Sequence, residues 1–406
     1  MAVPSLPVGL PLGTPHRPYT LMPGDSGLLV EDAWPSIYFG AERLPAIREK
    51  TNGAPWARSM LARLVAEAEG VLAEEPSQPL ERIGWRHQFY SKSSGEHLLY
   101  ERHSPHGFLD PASGGLEAGE EEHAAWVLLT HERTHRLLRS LALLHGLTGD
   151  ARYAAWVREG LLRAVEFFGH DEFREGNRCR ALYFQPLYDG PALTQMALAY
   201  DLTRDAACYS QADHQAIVDG IFGKGIPYQL EFLDEIGVHN MGCYVSAAVA
   251  TCGQVLGRPE WVERGLRHPL TGLHGQLRDG VRSGPDGQPD GFWYEGTMFY
   301  HFYSLCPLIT LWELARTLGD PLAADADVRE RLAAGLLAPV NLADSRDRLP
   351  ILGDLGDPRV MSLETYRHLY EWAAGRLDPE RFGPIAARLA QRCGRDGWTA
   401  LAFGAT

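Results

Sequence analysis

Lysine is scarce in this 406-residue sequence, and there is no net positive charge. Lys50, Lys92 and Lys224 are the only lysines, so arginine supplies 35 of the 38 basic residues (38 minus 3). The formal net charge of -14 argues against a nucleic-acid partner, because binding to a phosphate backbone requires a basic surface. A local arginine cluster could still bind a carboxylate through its forked guanidinium groups, although a compositional bias towards arginine would give the same count.

Paired cysteines and long apolar runs are also missing. The six cysteines form no C-x-x-C pair and several lie in apolar helical patterns, so we expect buried free thiols. No stretch approaches the length of a membrane span, and no basic region followed by an apolar one opens the chain. We therefore expect no membrane partner and a cytoplasmic protein as given, or a secreted or periplasmic one if a signal was removed.

Helical periodicity dominates what is present. We predict an extended lead-in over the Pro- and Gly-rich residues 1–35, a single domain over 36–406, and a long aperiodic connection over 76–120 that could line a site. No β-hairpin pattern is apparent. The predicted helices are 56–75, 123–147, 151–168, 187–203, 211–221, 226–236, 240–256, 259–279, 297–318, 327–343, 361–375 and 380–393. Their short connections favour antiparallel helix pairs, and so an all-α, curved or ring-like array.

The segment 290–305, DGFWYEGTMFYHFYSL, contains the strongest catalytic candidate, Tyr300. Apolar residues recur three or four positions apart from Met298 onwards and predict a buried stripe. At about 100° per residue, Tyr300 points away from this stripe and Tyr303 shares its face, whereas His301 lies closer to the stripe and fits a core histidine. Tyr300 falls in the first helical turn after a loop with acidic residues, where a cleft would open. A rim position on an amphipathic helix is the simpler alternative.

His239 and Asn240 open an earlier predicted helix, 240–256. Asparagine is a favoured N-cap residue, and capping alone could explain Asn240. The same position also suits an anion, because free N–H groups and the helix dipole attract negative charge. A uronate carboxylate bound there, with help from His239 or Gln185, would be partly neutralised, which favours loss of the proton from the adjacent carbon. A tyrosine can take this proton and protonate the leaving oxygen if nearby positive charge lowers its pKa.

A formal H-E-x-x-H match from His131 to His135 raises the question of zinc. Two histidines one turn apart, with a glutamate beside the first, can bind zinc and activate water, and Glu159 could be a third ligand. A pattern with three fixed positions also arises by chance in a chain of this length on the order of a few per cent of the time. We therefore predict no metal site and no cofactor.

Six segments, in the correct order, resemble the heparinase II/III-like and oligoalginate-lyase-like polysaccharide lyases, and the resemblance covers nearly the whole chain. They are WPSIYFGAERLPAIREK, THERTHRLLRSLALLHGLTGDARYA, LYFQPLYDGPALTQMALAYDLT, HNMGCY, DGFWYEGTMFYHFYSL and LPILGDLGD. Any one of these segments is weakly specific, whereas six in order are fairly specific. The second segment places His135 in the family's histidine position and explains this helix without a metal.

The resemblance implies a lyase that cleaves uronic-acid linkages of an anionic oligo- or polysaccharide by β-elimination. Asn240 with His239 would neutralise the substrate carboxylate, and Tyr300 would act as base and acid. The residues assigned to substrate binding are Gln185, Arg180, Tyr183, Trp293, Tyr294, Glu295, His135 and His301. Met241 stands where the family has a histidine. Because the sequence ends near the end of the family's helical domain, we expect an incomplete (α/α) toroid without the C-terminal β-sandwich.

Two other functions fit a helical toroid. An inverting glycoside hydrolase would use two carboxylates spaced to hold a water molecule, with Asp189, Asp201 or Glu295 as candidates. A non-catalytic glycan-binding scaffold is the third alternative, and Met241 together with the expected lack of a β-sandwich favours it.

Overall fold

Helices make up most of the structure, a computed structural model that describes residues 37–102, 106–174, 177, 181–353 and 361–404. The α-helices are α1 (Leu44–Gly53), α2 (Pro55–Leu72), α3 (Glu120–Thr148), α4 (Ala151–Gly169), α5 (Pro186–Thr203), α6 (Gln211–Ile217), α7 (Lys224–Ile236), α8 (Asn240–Leu256), α9 (Pro259–Arg267), α10 (Leu273–Gly280), α11 (Met298–Thr317), α12 (Ala326–Leu342), α13 (Arg367–Trp372), α14 (Pro379–Cys393) and α15 (Gly397–Phe403). The predicted lead-in over 1–35, and Arg180 among the predicted site residues, lie outside the described residues.

Two short antiparallel sheets accompany the helices, so the expectation that no hairpin forms was wrong. One sheet pairs β1 (Phe108–Leu109) with β2 (Leu116–Glu117), and the other pairs β3 (Val281–Ser283) with β4 (Pro289–Trp293). The turn between β3 and β4 contains Gly287 at φ 77°, a conformation that glycine adopts without strain. Asp286 and Gly287 form an Asp-Gly pair, which is a hairpin signal in a sequence. Strands this short, however, show little alternation of apolar and polar residues.

The predicted helix 259–279 is two helices, α9 and α10. Pro269 interrupts the run, because a proline disfavours helical backbone in the residue before it. His268 accordingly has an extended ψ of 132°. The other long predicted helices are present with ends shifted by a few residues, except that the helix predicted over 361–375 begins only at Arg367.

Helix pairs such as α8 and α9 run antiparallel in close contact. A Cβ on Gly253, near the end of α8, would lie 2.7 Å from the nitrogen of Val262 in the first half of α9. At the other end of the pair, a Cβ on Gly265 would lie 2.4 Å from the carbonyl oxygen of Ser246. The two backbones therefore approach so closely at both ends that only glycine fits without a shift.

The helices α3, α5, α8 and α11 form the inner layer, and α5, α8 and α11 run parallel. Side chains around nearly the whole circumference of α5, α8 and α11 are buried, as expected for helices covered on all sides. The C-terminal ends of α5, α8 and α11 meet at a cavity of about 230 Å³, which is lined by Leu198, Gln254 and Leu314 among others. The N-terminal ends lie at the opposite end of this layer. This arrangement confirms the predicted all-α toroid of helix pairs. None of the helices described is long and apolar enough to cross a membrane.

The cysteines in the described part of the chain are free thiols, as predicted. Cys243, Cys252 and Cys306 are buried within the inner layer. Cys208 and Cys393 are only partly buried, so the expectation of burial was wrong for these two. Both lie near helix ends rather than in the middle of an inner helix, where packing would cover them.

Candidate active site

The two segments that open α8 and α11 meet at the N-terminal ends of these helices. Glu295, in the turn before α11, accepts hydrogen bonds from the backbone N–H of Asn240 at 3.1 Å and from its side-chain Nδ2 at 2.7 Å. The indole Nε1 of Trp293 donates to the same carboxylate at 2.6 Å. The Nε2 atom of His239 lies 3.8 Å from Glu295 Oε1. The structure therefore brings together four residues that the sequence assigned to the site.

His239, not Asn240, caps α8, so the alternative that capping alone explains Asn240 does not hold. His239 has extended backbone (φ -167°, ψ 151°), and its Nδ1 accepts a hydrogen bond from the N–H of Met241 at 3.2 Å. Its other ring nitrogen, Nε2, faces Glu295. Because the histidine does the capping, the Asn240 side chain is released for its contact with Glu295. Asn240 is 3% exposed, and its Oδ1 is buried with no hydrogen-bond partner among the residues that the structure describes.

Tyr300 lies in the first turn of α11 and is partly exposed, as its helical phase predicted. The N-cap residue Thr297 accepts a hydrogen bond from the backbone N–H of Tyr300 at 3.1 Å. The ring of Tyr300 packs edge-on against the ring of Phe299, with ring centres 5.7 Å apart, and against the ring of Tyr303, with ring centres 6.3 Å apart. Tyr303 was expected to share the exposed face but is 3% exposed. The prediction failed because α11 is an inner helix with neighbours on both faces.

A buried charge pair lies beneath this tyrosine. Arg86, in the long connection before α3, forms an ion pair with Glu132 of α3, and its guanidinium lies 5.7 Å from the ring centre of Tyr188. The rings of Tyr303 and Tyr244 are 4.7 Å apart. Burial raises the pKa of Tyr303 well above its usual value, and the positive charge of Arg86 opposes this effect. Neither Arg86 nor Glu132 was predicted as a site residue; the only signal was the expectation that the aperiodic connection could line a site.

The H-E-x-x-H side chains have separate partners. The Nε2 of His131 lies 3.0 Å from the carbonyl oxygen of Pro79, and the Nε2 of His135 lies 2.8 Å from the hydroxyl of Tyr183. Burial lowers the pKa of His131 to about 4 and holds the pKa of His135 well below its usual value, which disfavours the charged form of both rings. Glu159 forms an ion pair with an arginine one turn along α4. Among the residues described, no group of three or more His, Cys, Asp or Glu side chains could hold a metal ion.

Four residues assigned to substrate binding lie in the core of the structure. His135, Tyr183, Trp293 and His301 are each 1% exposed, about as little as Asn240. The ring of His301 accepts a hydrogen bond from the Trp293 backbone at 3.1 Å through Nδ1, and its Nε2 lies 2.8 Å from the carbonyl oxygen of Gly335. Burial lowers the pKa of His301 to about 4, so the neutral ring can make both contacts.

Gln185 and Tyr294 remain accessible near the N-terminal ends of the inner helices. Gln185 directly precedes α5, is partly exposed and bonds through its side chain to Tyr188 one turn later. Tyr294 is 40% exposed, and its hydroxyl donates to the carbonyl of Val238 at 2.9 Å. This contact ties the turn before α11 to the segment before α8.

Comparison with known proteins places this geometry in context. No family model matches the sequence. An exo-oligoalginate lyase of Saccharophagus degradans is 28% identical over 186 residues, and an alginate lyase of Stenotrophomonas maltophilia is 29% identical over the same length. Each match covers 44% of this chain and 24% of the relative, so the chain spans about a quarter of their length. These relatives confirm the resemblance that the six sequence segments indicated.

The fold has a counterpart among solved structures. The crystal structure of an alginate lyase from Bacteroides ovatus superimposes with a TM-score of 0.59 at 13% identity. The superposition covers 90% of this chain and 97% of that chain. The two chains share the helical fold.

Proposed function

We propose that this protein is a lyase that cleaves uronic-acid-containing glycans by β-elimination. The observation that carries the proposal is the contact between the start of α8 and the turn before α11, where Asn240 and Glu295 are hydrogen-bonded at 2.7 Å. This contact brings an amide that can bind a carboxylate to the same end of the inner helices as the partly exposed phenol of Tyr300. The names of the two relatives, an exo-oligoalginate lyase and an alginate lyase, support the proposal.

Neutralisation of the substrate carboxylate is the first requirement of the reaction. The Asn240 side-chain nitrogen carries two hydrogens, and Glu295 accepts one of them, so the second is available for a substrate oxygen. The N-terminal ends of α5 and α11 add partial positive charge at this end of the inner layer, whereas the first N–H of α8 is bonded to Glu295. The dipoles of α5 and α11 therefore favour an anionic glycan at this end despite the negative net charge of the protein.

Proton transfer is the second requirement, and we assign it to Tyr300. As a phenolate, Tyr300 removes the proton from C5 of the uronate residue, and the electron pair of the C5–H bond forms the C4–C5 double bond. The bond from C4 to the glycosidic oxygen breaks, and the phenol returns its proton to that oxygen. Atoms and electrons balance without water or a redox partner. The product carries a double bond conjugated to its carboxylate.

Aromatic side chains near Gln185 suit a sugar ligand. The rings of Trp85 and Phe184 stack with centres 6.4 Å apart and an interplanar angle of 19°, and both are partly exposed. Trp85 adjoins Arg86 in sequence, and Phe184 adjoins Gln185. Aromatic faces bury the apolar faces of a ligand while nearby polar groups fix its orientation. We therefore propose an anionic uronate oligo- or polysaccharide as the partner.

The hydrolase alternative lacks a suitable carboxylate pair among its candidates. An inverting hydrolase holds its two carboxyl groups about 6.5 to 9.5 Å apart. Asp189 is fully buried, and its carboxylate accepts hydrogen bonds from the backbone of Leu182 and from Gln229. Asp201 lies near the C-terminal end of α5, about 22 Å along the helix from its start at 1.5 Å per residue. Glu295 lies near the opposite end and is occupied by protein donors.

Ultraviolet absorbance tests the proposal directly. We expect the protein to raise the absorbance of a solution of alginate or another uronate polymer, because elimination creates the conjugated double bond. Tyr300→Phe should abolish this rise, whereas Tyr228→Phe, a partly buried control on the outer helix α7, should retain it. Activity that survives Tyr300→Phe would refute the assignment. Release of reducing sugar without absorbance would indicate a hydrolase, and glycan binding without turnover on any uronate polymer would indicate a scaffold.

A further inference from the structure

The carboxylate of Glu295 is occupied by donors of the protein itself. Its Oε1 accepts from Asn240 Nδ2 at 2.7 Å, and its Oε2 accepts from the Asn240 backbone at 3.1 Å and from Trp293 Nε1 at 2.6 Å. Its side chain is 16% exposed. A residue that contacts substrate would need an oxygen directed at the ligand, whereas both oxygens of Glu295 face α8 and the turn before α11.

This carboxylate determines which way the Asn240 amide faces. Oε1 of Glu295 accepts the hydrogen bond of this pair, so the donor Nδ2 of Asn240 faces it. Rotation of the amide by half a turn would put Oδ1 of Asn240 against Oε1 of Glu295, oxygen against oxygen. In the favoured orientation Oδ1 is buried, with no hydrogen-bond partner in the described part of the chain. Buried polar atoms without partners are rare because the missing hydrogen bond is unfavourable. The contact with Glu295 therefore holds Asn240 in this orientation despite that cost.

Glu295 is itself held by the buried residues around it. Trp293 donates its indole N–H to Glu295 and its backbone N–H to the ring of His301. The indole packs directly on Gly280, where an added Cβ would lie 2.1 Å from a ring carbon. His301 in turn contacts the carbonyl of Gly335 on α12 at 2.8 Å. A chain of contacts thus runs from α10 and α12 through Trp293 to Glu295 and Asn240.

We propose that Glu295 is a positioning residue that fixes the Asn240 amide so that its second N–H is directed at the substrate carboxylate. This inference rests on the proposed elimination and deepens it, since it transfers Glu295 from substrate binding to the support of Asn240. It also assigns a role to Trp293 and His301, which are buried in the same motif. Glu295 then contributes to the rate of elimination only through Asn240.

A double-mutant cycle tests this dependence. Glu295→Gln keeps the shape of the side chain but replaces one acceptor oxygen with a donor, so kcat on a uronate polymer should fall at least tenfold while KM stays within twofold. In the Asn240→Ala background, Glu295→Gln should cause no further loss. Glu49→Gln, an exposed control on α1, should leave both constants unchanged. Trp293→Phe, which removes one of three donors, should lower kcat less than Glu295→Gln does.

Three outcomes would overturn the proposal. A rise in KM with unchanged kcat would show that Glu295 contacts the substrate. A fall in KM would show that Glu295 competes with the substrate carboxylate for Asn240. Losses that multiply in the Asn240→Ala, Glu295→Gln double variant would show that the two residues act independently.

Side-chain amide NMR separates this inference from the proposed function. In protein labelled with ¹⁵N-asparagine, the Asn240 amide pair is identified by its loss in Asn240→Asp. The signals should move in Glu295→Gln and stay in place in Glu49→Gln, whether or not the protein turns over a glycan. Absence of turnover on every uronate polymer, with this shift present, would refute the proposed function and retain the positioning contact. Turnover by the wild type with unmoved signals would retain the function and refute the positioning role.

Discussion

The Arg86 and Glu132 pair gives a quantitative prediction for the substitution Glu132→Gln. The side chains are 13% and 15% exposed, so loss of the Glu132 charge removes the counter-charge of a largely buried guanidinium. Removal of one partner from a buried ion pair typically costs 3 to 5 kcal/mol, and glutamine can still accept one hydrogen bond from Arg86, so we expect a loss of about 3 kcal/mol in the free energy of unfolding. Urea unfolding followed by tryptophan fluorescence and circular dichroism measures this loss.

A matched pair of variants makes the measurement decisive. Glu330→Gln breaks an exposed pair with Arg381, in which the side chains are 50% and 43% exposed, and should not measurably change the urea midpoint. The double variant Arg86→Met, Glu132→Leu should recover most of the stability lost in Glu132→Gln, because it leaves no unpaired charge. Equal effects of Glu132→Gln and Glu330→Gln would refute the conclusion that the pair is buried. A double variant less stable than Glu132→Gln would refute the account in terms of an unpaired charge.

Two further predictions concern titratable groups in the core. Because burial lowers the pKa of His301 from 6.5 to about 4, its contribution to stability is complete above pH 6.5 and is lost as the pH falls towards 4, by about 3 kcal/mol in total. Urea unfolding across this range should show a pH-dependent slope, and His301→Gln should reduce this slope by that amount while leaving the part due to His131 and His135, whose pKa values burial also lowers. A slope that is unchanged in His301→Gln would contradict this origin. Alkylation of the native protein should label Cys208 and Cys393 before Cys243, Cys252 and Cys306. Burial excludes the reagent from the latter three and raises their thiol pKa. Peptide mapping that found these three labelled first would contradict the packing.

Periodicity predicted the long helices but not the role of each face. An inner helix such as α11 is apolar all round, so its strongest apolar stripe does not identify the only buried side. The helical phase therefore predicted the exposure of Tyr300 correctly and that of Tyr303 wrongly, although both residues lie on one side of the helix. The difference is one of height along the helix, since Tyr300 is in the first turn at the open end and Tyr303 is one turn deeper. Depth within a tertiary layer is not encoded in local spacing.

Pairings across the fold were equally beyond the reach of local patterns. Arg86 and Glu132 are 46 residues apart, and the sequence around each suggested another interpretation, an aperiodic connection for Arg86 and a zinc motif for Glu132. Asn240 and Glu295, which are 55 residues apart, were both expected at the site, but their direct hydrogen bond was not. Such contacts depend on how helix ends meet in the toroid, and no spacing within one helix specifies that meeting.

A resemblance between sequences identifies equivalent positions, whereas the burial of each side chain distinguishes core residues from residues near the surface. The segment from Asp290 to Leu305 contains Tyr300, which is partly exposed, together with Trp293 and His301, which are each 1% exposed. In the proposed elimination the phenol of Tyr300 and the Asn240 amide need a rigid support to stay in place, and we expect the buried residues of this segment to supply it. Met241 illustrates the same distinction in the other direction: a methionine stands where the family that the sequence resembles has a histidine, and the histidine one position before Asn240 has its Nε2 3.8 Å from Glu295. The proposed elimination requires a donor at a place in space rather than a letter at a position in the sequence, so His239 stays among the proposed site residues.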